Sequence, residues 1–281
     1  YNPAIKIMFA ERTVAALRRF AGAIAMLTDE QIREFHDTGW IVVDSLFDAA
    51  EVAHMIQCFD ALEAIAANMP GTGLRDGAYF VLGEKHGAQV IKRVVWAGGC
   101  QPYLLDIGAD PRLTGPASRL LDSRQMEQLL SQAHFKRPND GVIFGWHQDI
   151  QHRDKGNGTW RDVNGEGSFV QTLIVLDEMT ADSGPMQFIP GSSRWGRVDF
   201  GTHDYDEPGY AAKAPPQFDA ADAVTICAKP GDTLFFGPYT AHASFENTSP
   251  NYRRVLINGY AYPGANHRVY PGNGAGRTLI V

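Results

Sequence analysis

From about residue 131 to its end the chain alternates short apolar runs with turn signals, and that rhythm leaves few folds open. The runs are 133–137, 142–149, 169–176, 186–189, 223–227, 233–237 and 253–262. Between them stand Pro138-Asn139-Asp140-Gly141, Asp182-Ser183-Gly184-Pro185, Pro190-Gly191-Ser192 and Pro230-Gly231-Asp232. Each run is too short for a helix packed in a core and long enough for a strand. The residues that bound them preset φ or tolerate positive φ, so the chain reverses there. The pattern predicts an all-β core in which two sheets face each other, a double-sheet barrel of the jelly-roll kind, with α-helices packed outside it on the N-terminal side.

Those helices have their own signals. Thr28 and Gln31 form a capping box, which starts a helix over 29–37 that Gly39 stops. Residues 40–44 read as a strand. A second helix is expected over 49–67, with an apolar stripe at Val52, Met55, Ile56, Phe59 and Leu62, ended by Asn68, Pro70 and Gly71. The stretch 69–115 is mixed, with strands expected at 78–82 and 89–95. Residues 116–130 look helical, and 197–218 read as a long polar loop or lid. Residues 1–26 are expected to be an N-terminal extension or helix, since Arg12, Arg18 and Arg19 break its apolar run, and 27–281 a single domain.

Composition removes several function classes. The formal net charge is −7, without the basic field that a nucleic-acid surface requires. No apolar run is long enough for a membrane span. Cys58, Cys100 and Cys227 are odd in number and far apart, so neither a disulfide framework nor a thiolate zinc site can be assembled; Cys58 and Cys227 are expected to be buried thiols. The chain reads as cytoplasmic, with a small molecule as its partner and an oligomeric state that the sequence leaves open.

The local chemistry concentrates at Gly145-Trp146-His147-Gln148-Asp149. In extended backbone, residues two apart point the same way, so His147 and Asp149 can reach one ion while Gln148 faces elsewhere. A His-x-Asp pair alone is a common surface feature. With a second histidine it becomes the facial triad of non-haem Fe(II) oxygenases, which leaves one face of the ion open. Among the nine histidines, His36 and His54 lie on helices, His86 in a charged turn, and His203 and His267 in loops; His134 precedes the motif on a plausible strand. His242 is the best third ligand, because the Pro230-Gly231-Asp232 turn and the strand after it carry the chain toward a pocket. Eleven residues later comes Arg253, whose planar guanidinium suits the distal carboxylate of a keto acid. Ser244 can donate to the same group. Arg254 competes with Arg253, since neighbours on a strand face opposite sides.

The pocket wall is expected to include Trp146, Gln148, His152, Trp160, Arg161, Trp195 and Tyr239. Packing alone also explains the tryptophans, and solvation Arg161. The polar segment 151–167 reads as a mobile loop over the site, which favours a small polar substrate.

These residues resemble a known family. LTDEQIREFHDTGW at 27–40, HQD at 147–149, SGPMQFIPGSSRWG at 183–196, PGDTLFFGPYTAHAS at 230–244 and NYRR at 251–254 occur in the order and spacing of the phytanoyl-CoA dioxygenase family, to which ectoine hydroxylase belongs. The resemblance implies a double-stranded β-helix core that uses Fe(II), 2-oxoglutarate and O2. It puts the metal ligands on His147, Asp149 and His242 and the 2-oxoglutarate contacts on Arg253 and Ser244. Lys136 matches a basic residue in the preceding strand, and either Gln171 or Thr172 a further cosubstrate contact. Related halogenases carry Gly or Ala where this chain keeps Asp149, so the expected reaction is hydroxylation of an amino acid, a phosphonate or a natural-product intermediate. Desaturation, epoxidation or ring closure with the same cofactors is the nearest rival. More distant ones are a non-catalytic β-barrel binding protein, which predicts no 2-oxoglutarate dependence and no tight iron, and a zinc hydrolase, which gives Arg253 no use.

Overall fold

The computed structural model of the protein describes residues 27–153, 158–200, 215–269 and 276–281. The expected extension 1–26, most of the loop 197–218 and part of 151–167 lie outside them.

Helix α1 (Asp29–Thr38) begins at the expected capping box, with both reciprocal bonds between Thr28 and Gln31 formed, and ends at Gly39 with φ +100°. Strand β1 (Trp40–Val43) follows, then helix α2 (Ala49–Ala66), capped by Asp48. Val52, Met55, Phe59 and Leu62 of its stripe are buried, and Ile56 is half-buried. The middle of the chain supplies β2 (Gly73–Arg75), β3 (Ala78–Lys85), β4 (Ala88–Val95), α3 (Pro102–Ile107) and α4 (Pro111–Leu121).

Here one expectation fails. Helix α4 stops at Leu121, where Asp122 takes a left-handed conformation, and QMEQLL belongs to β5 (Gln125–His134), the longest strand among the described residues. The β5 segment 128–131 is buried on both faces. A strand of that kind has no alternating pattern, and its run of apolar and amide side chains imitates a helix.

The remaining strands stand close to where the turn signals put them: β6 (Phe144–His147), β7 (Phe169–Val175), β8 (Met186–Phe188), β9 (Val224–Ile226), β10 (Thr233–Phe236), β11 (His242–Ser244) and β12 (Val255–Ala261). A short helix, α5 (Ile150–Arg153), follows β6, and a C-terminal strand outside the sequence expectations, β13 (Arg277–Ile280), pairs with β5. Cys58 is buried as expected, but Cys227 is exposed. It follows Ile226, the one inward residue of edge strand β9, so alternation turns it to solvent.

Two antiparallel sheets result, in the double-stranded β-helix arrangement. The larger runs β1-β10-β7-β12-β5-β4-β3-β2, and the smaller β6-β11-β8-β9. The outer face of the large sheet carries Ala133, Val170, Ile174, Phe235, Leu256 and Tyr260, which pack with Met55, Phe59 and Leu62 of α2 and Leu113 and Leu120 of α4 into the main core. Alternation along the same strands turns Leu130, Gln132, His134, Gln171, Leu173, Val255 and Ile257 the other way. They line a cavity of about 220 Å³ that also reaches residues of the small sheet. No helix among the described residues is long and apolar enough to cross a membrane.

Candidate metal centre and cavity

The site is built where β6 and β11 pair. His147 ends β6, His242 begins β11, and the two stand directly opposite in the antiparallel register. Opposed residues of such a pair bring their side chains together, and the ring centroids here are 4.2 Å apart. Asp149 follows two residues after His147, on the same side. Its Oδ1 lies 3.9 Å from Nε2 of His147, and its Oδ2 lies 4.0 Å from Nε2 of His242. Among the described residues, these three form the cluster of buried ligand atoms able to hold a metal ion, all within 4.8 Å of one another.

The backbone sets the tautomers. Nδ1 of His147 donates to the carbonyl of Gly145 at 2.7 Å, and Nδ1 of His242 donates to that of Thr240 at 2.9 Å. A carbonyl can only accept, so Nδ1 carries the proton in each ring and Nε2 presents a lone pair to the cluster. Thr240 is itself fixed by a segment distant in sequence: its hydroxyl donates to the carbonyl of Gly39 at 2.8 Å. A Cβ at position 39 would stand 2.5 Å from that hydroxyl oxygen at φ +100°. Gly39 therefore both ends α1 and allows the strap behind His242 to close.

The donor set fits a divalent ion. Oδ2 of Asp149 is buried with no hydrogen-bond partner, a costly state for a carboxylate unless a cation completes it. Two imidazoles and one carboxylate, without a thiolate, suit iron with an open face. Burial, reinforced by neighbouring His242, pushes the His147 imidazole down to about 3 from its ordinary 6.5, so it is neutral at neutral pH. The unfolded chain then binds more protons than the folded one between pH 6.5 and about 3. The contribution of His147 to stability is fully present above pH 6.5 and declines as pH falls through that window. Metal-free protein is expected to lose Tm steadily below about pH 6.5, and His147→Gln to flatten the slope; equal slopes in melting curves from about pH 7 to 4 would contradict this.

Beyond the triad, strand parity sorts the paired candidates. Arg253 lines the cavity and is buried, with Nη2 donating to Oγ of Ser244 at 2.6 Å and to the carbonyl of Gly184 at 2.8 Å; its Nε is buried without a partner. Burial lowers its pKa to about 10. Arg254 turns away and is held by Asp177 and Asp60. Gln171 lines the cavity with a buried, unpartnered Oε1, whereas Thr172 lies on the opposite face beside the carbonyl of Asn258. The Lys136 ammonium is pushed down by burial and by Arg253. It donates to the carbonyls of Ser244 and Phe245 and lies behind the cavity wall, where it fixes the end of β11.

Of the residues expected along the pocket wall, His152 lines the cavity. Trp146 packs with Ile189, Phe200 and Ala243 on the outer side of the small sheet. Gln148 ties loops together, donating to the carbonyls of Gly196 and Tyr239 and accepting from the backbone of Val198. Trp160 sits in a cluster with Phe169 and Ala265 and donates to the carbonyl of Gly167. Arg161 is exposed, Trp195 is half-buried beside Ile189 and Phe200, and Tyr239 donates to Asp162. Each of these six lies outside that cavity. Sequence reasoning misses Arg93, Gln132 and Arg268, which line it, and gives no wall position to His134, weighed only as a weak third ligand, or to Arg153, placed only within the loop 151–167, which line it too. Two of them carry a signal: Gln132 and His134 alternate on β5, a strand that the turn pattern begins only at residue 133.

Comparison with known proteins adds to this geometry. The family model for phytanoyl-CoA dioxygenase matches residues 35–255. An ectoine dioxygenase of Bordetella bronchiseptica is 24% identical over 246 residues, covering 83% of this chain and 73% of its own length. Phytanoyl-CoA dioxygenase 1 of Oryza sativa subsp. japonica is 24% identical over 259 residues, covering 82% and 87%. In fold, the chain is similar to EctD from S. alaskensis, solved with 2-oxoglutarate and 5-hydroxyectoine, with a TM-score of 0.67 at 22% identity, covering 90% of this chain and 81% of that one.

Proposed function

The chain belongs to the phytanoyl-CoA dioxygenase family and is an Fe(II)- and 2-oxoglutarate-dependent dioxygenase, and from that premise we propose that it hydroxylates an unactivated C–H bond of a small polar metabolite. The observation that carries the reading is the register-opposed pair His147 and His242, with the unpartnered carboxylate oxygen of Asp149 between them. When bound, Fe(II) with 2-oxoglutarate activates O2, releasing succinate and CO2 as the substrate is oxidised.

The protein's share is placement and exclusion of water. His147, Asp149 and His242 hold the ion, with both imidazoles locked by their carbonyl partners. Arg253 and Ser244 hold the distal carboxylate of 2-oxoglutarate, and Gln171 offers an acceptor nearby. Lys136 supports that end by pinning the backbone that carries Ser244. The cavity of about 220 Å³ lies between two sheets and mixes apolar with charged side chains, which supports a small polar substrate better than a fatty acyl chain.

The test is an anaerobic titration of metal-free protein with Fe(II) and 2-oxoglutarate, followed by visible absorption. A weak band that needs both components, and that His147→Ala loses, is the expected result, with succinate formed once air is admitted. A folded, iron-loaded protein without that band would sink the cosubstrate assignment. Product analysis then separates hydroxylation from desaturation, epoxidation or ring closure.

A further inference from the structure

His147 and His242 stand on strands, whereas Asp149 lies between the end of β6 and the start of α5. Its place is set through its two neighbours. The backbone N–H of Ile150 donates to the carbonyl of Pro238 at 3.0 Å. The side-chain amide of Gln148 donates from Nε2 to the carbonyl of Tyr239 at 2.6 Å. Both acceptors belong to the strap that leads into His242, so one ligand is tied on either side to the backbone that carries another. The rest of that strap is held as well. The carbonyl of Thr240 accepts from Nδ1 of His242, and the N–H of Ala241 donates to Oγ of Ser192 at 2.8 Å.

The Gln148 amide reaches further. The same Nε2 donates to the carbonyl of Gly196 at 2.9 Å, and Oε1 accepts from the backbone N–H of Val198 at 2.9 Å. Gly196 directly follows the short helical turn Ser192–Trp195. The bonds therefore close a ring, from Gln148 through segment 196–198, Ser192, Ala241 and Tyr239 back to Gln148. Gln148 is 0% exposed, so a lost partner is not replaced by bulk water. Its partners also fix which end of the amide is which, since two carbonyls can only accept and a backbone N–H can only donate. An apolar side chain makes none of these bonds, and a carboxylate cannot donate to either carbonyl. Of the two ties across Asp149, that of Ile150 is made by backbone. Gln148 is the one that depends on the side chain.

We propose that Gln148 is a positioning residue of the metal centre: through Tyr239 it sets Asp149 against His242, and through Gly196 and Val198 it couples that setting to segment 196–198. The inference rests on the function proposed above, in which the triad holds the ion. Gln148 is outside the cavity lining and acts on geometry alone. An ion accepts its ligand atoms only within a narrow range of distances. A loosened Asp149 therefore lowers metal affinity although all three ligands remain. Such coupling is reciprocal. An ion that draws Asp149 and His242 together also steadies the bond between Val198 and Gln148.

The test titrates metal-free whole protein with Co(II), whose visible bands report its ligand geometry. Gln148→Met keeps the length of the side chain and removes all three amide bonds. It is expected to weaken Co(II) binding roughly tenfold to a hundredfold and to shift the bands. Gln128→Met is the matched control. Gln128 is equally buried at 0% exposed, and its Nε2 donates to the carbonyl of Leu130 and to Oδ1 of Asn258, outside the cavity lining. Its variant should lose stability yet keep the Co(II) affinity and bands of the wild type. Retained affinity and bands in Gln148→Met overturn the proposal. So does an equal loss in Gln128→Met, which would mean a general loosening of the fold. A second measurement needs no variant: hydrogen exchange of wild-type protein with and without Co(II), read at the Val198 amide. Slower exchange with the ion is expected. Unchanged exchange overturns the proposal, and this result decides the question if Gln148→Met does not fold. Wild-type protein that binds no Co(II) at all would count against the metal centre, and so against the proposed function instead.

Discussion

Asp149→Ala is expected to abolish turnover and, at the same time, to stabilise the metal-free protein. The two effects have one cause. Without an ion, the Asp149 carboxylate is buried beside the imidazoles of His147 and His242 with Oδ2 unpartnered. A buried polar atom left without a partner costs about 1–3 kcal/mol, and alanine removes that cost. With the ion present the carboxylate is one of three ligands. Loss of groups that merely orient a ligand already costs roughly 10–100-fold in metal affinity or activity, so loss of the ligand itself should exceed about a hundredfold. His242→Ala should match it in activity without the gain in stability, because its Nδ1 bond to the Thr240 carbonyl is lost as well. Succinate release, iron content and melting curves of metal-free protein together decide the matter. An active Asp149→Ala protein would sink the metal centre, and an inactive variant whose metal-free form is less stable would refute the account of why the site is strained when empty.

The second large effect is expected at Arg253. Arg253→Ala should raise the KM for 2-oxoglutarate by roughly thirty- to several-thousand-fold, the equivalent of about 2–5 kcal/mol for truncating one partner of a buried, hydrogen-bonded charge pair. Turnover at saturating cosubstrate should fall much less, since the triad is untouched. Arg253→Lys should rescue little, because a point charge on a flexible stem cannot reproduce the fork that meets Ser244 and Gly184. Arg254→Ala should leave the KM alone and lower stability modestly through the lost pairing with Asp177. Steady-state kinetics in 2-oxoglutarate discriminate at once. If the Arg254 variant shifts the KM and the Arg253 variant does not, the cosubstrate is held elsewhere.

Local features of this fold are legible in the sequence because their causes are local. The Thr28–Gln31 box and Gly39 mark the ends of α1 through hydrogen bonds and a φ that neighbouring residues dictate. Turn residues mark most of the strands from β6 to β12, and the two-residue period puts His147 and Asp149 on one side. The secondary-structure failure at QMEQLL has an equally plain cause: β5 is covered on both faces, so the amphipathic pattern that separates strand from helix is missing.

The sequence by itself determined which residue types are available and which neighbours share a face: the His-x-Asp pair, the choice between Arg253 and Arg254 as a matter of parity, and the double-sheet class that the turn rhythm demands. Only the tertiary structure decided which His opposes His147, because register between strands so distant along the chain is set by the packing of both sheets. It alone decided that Gln171 and not Thr172 faces inward, that Trp146, Trp160 and Tyr239 pack or tie loops away from that cavity, and that Arg93, Arg153 and Arg268 converge on it. Convergence of residues from β4, α5 and the C-terminal segment leaves no mark in any one of those segments.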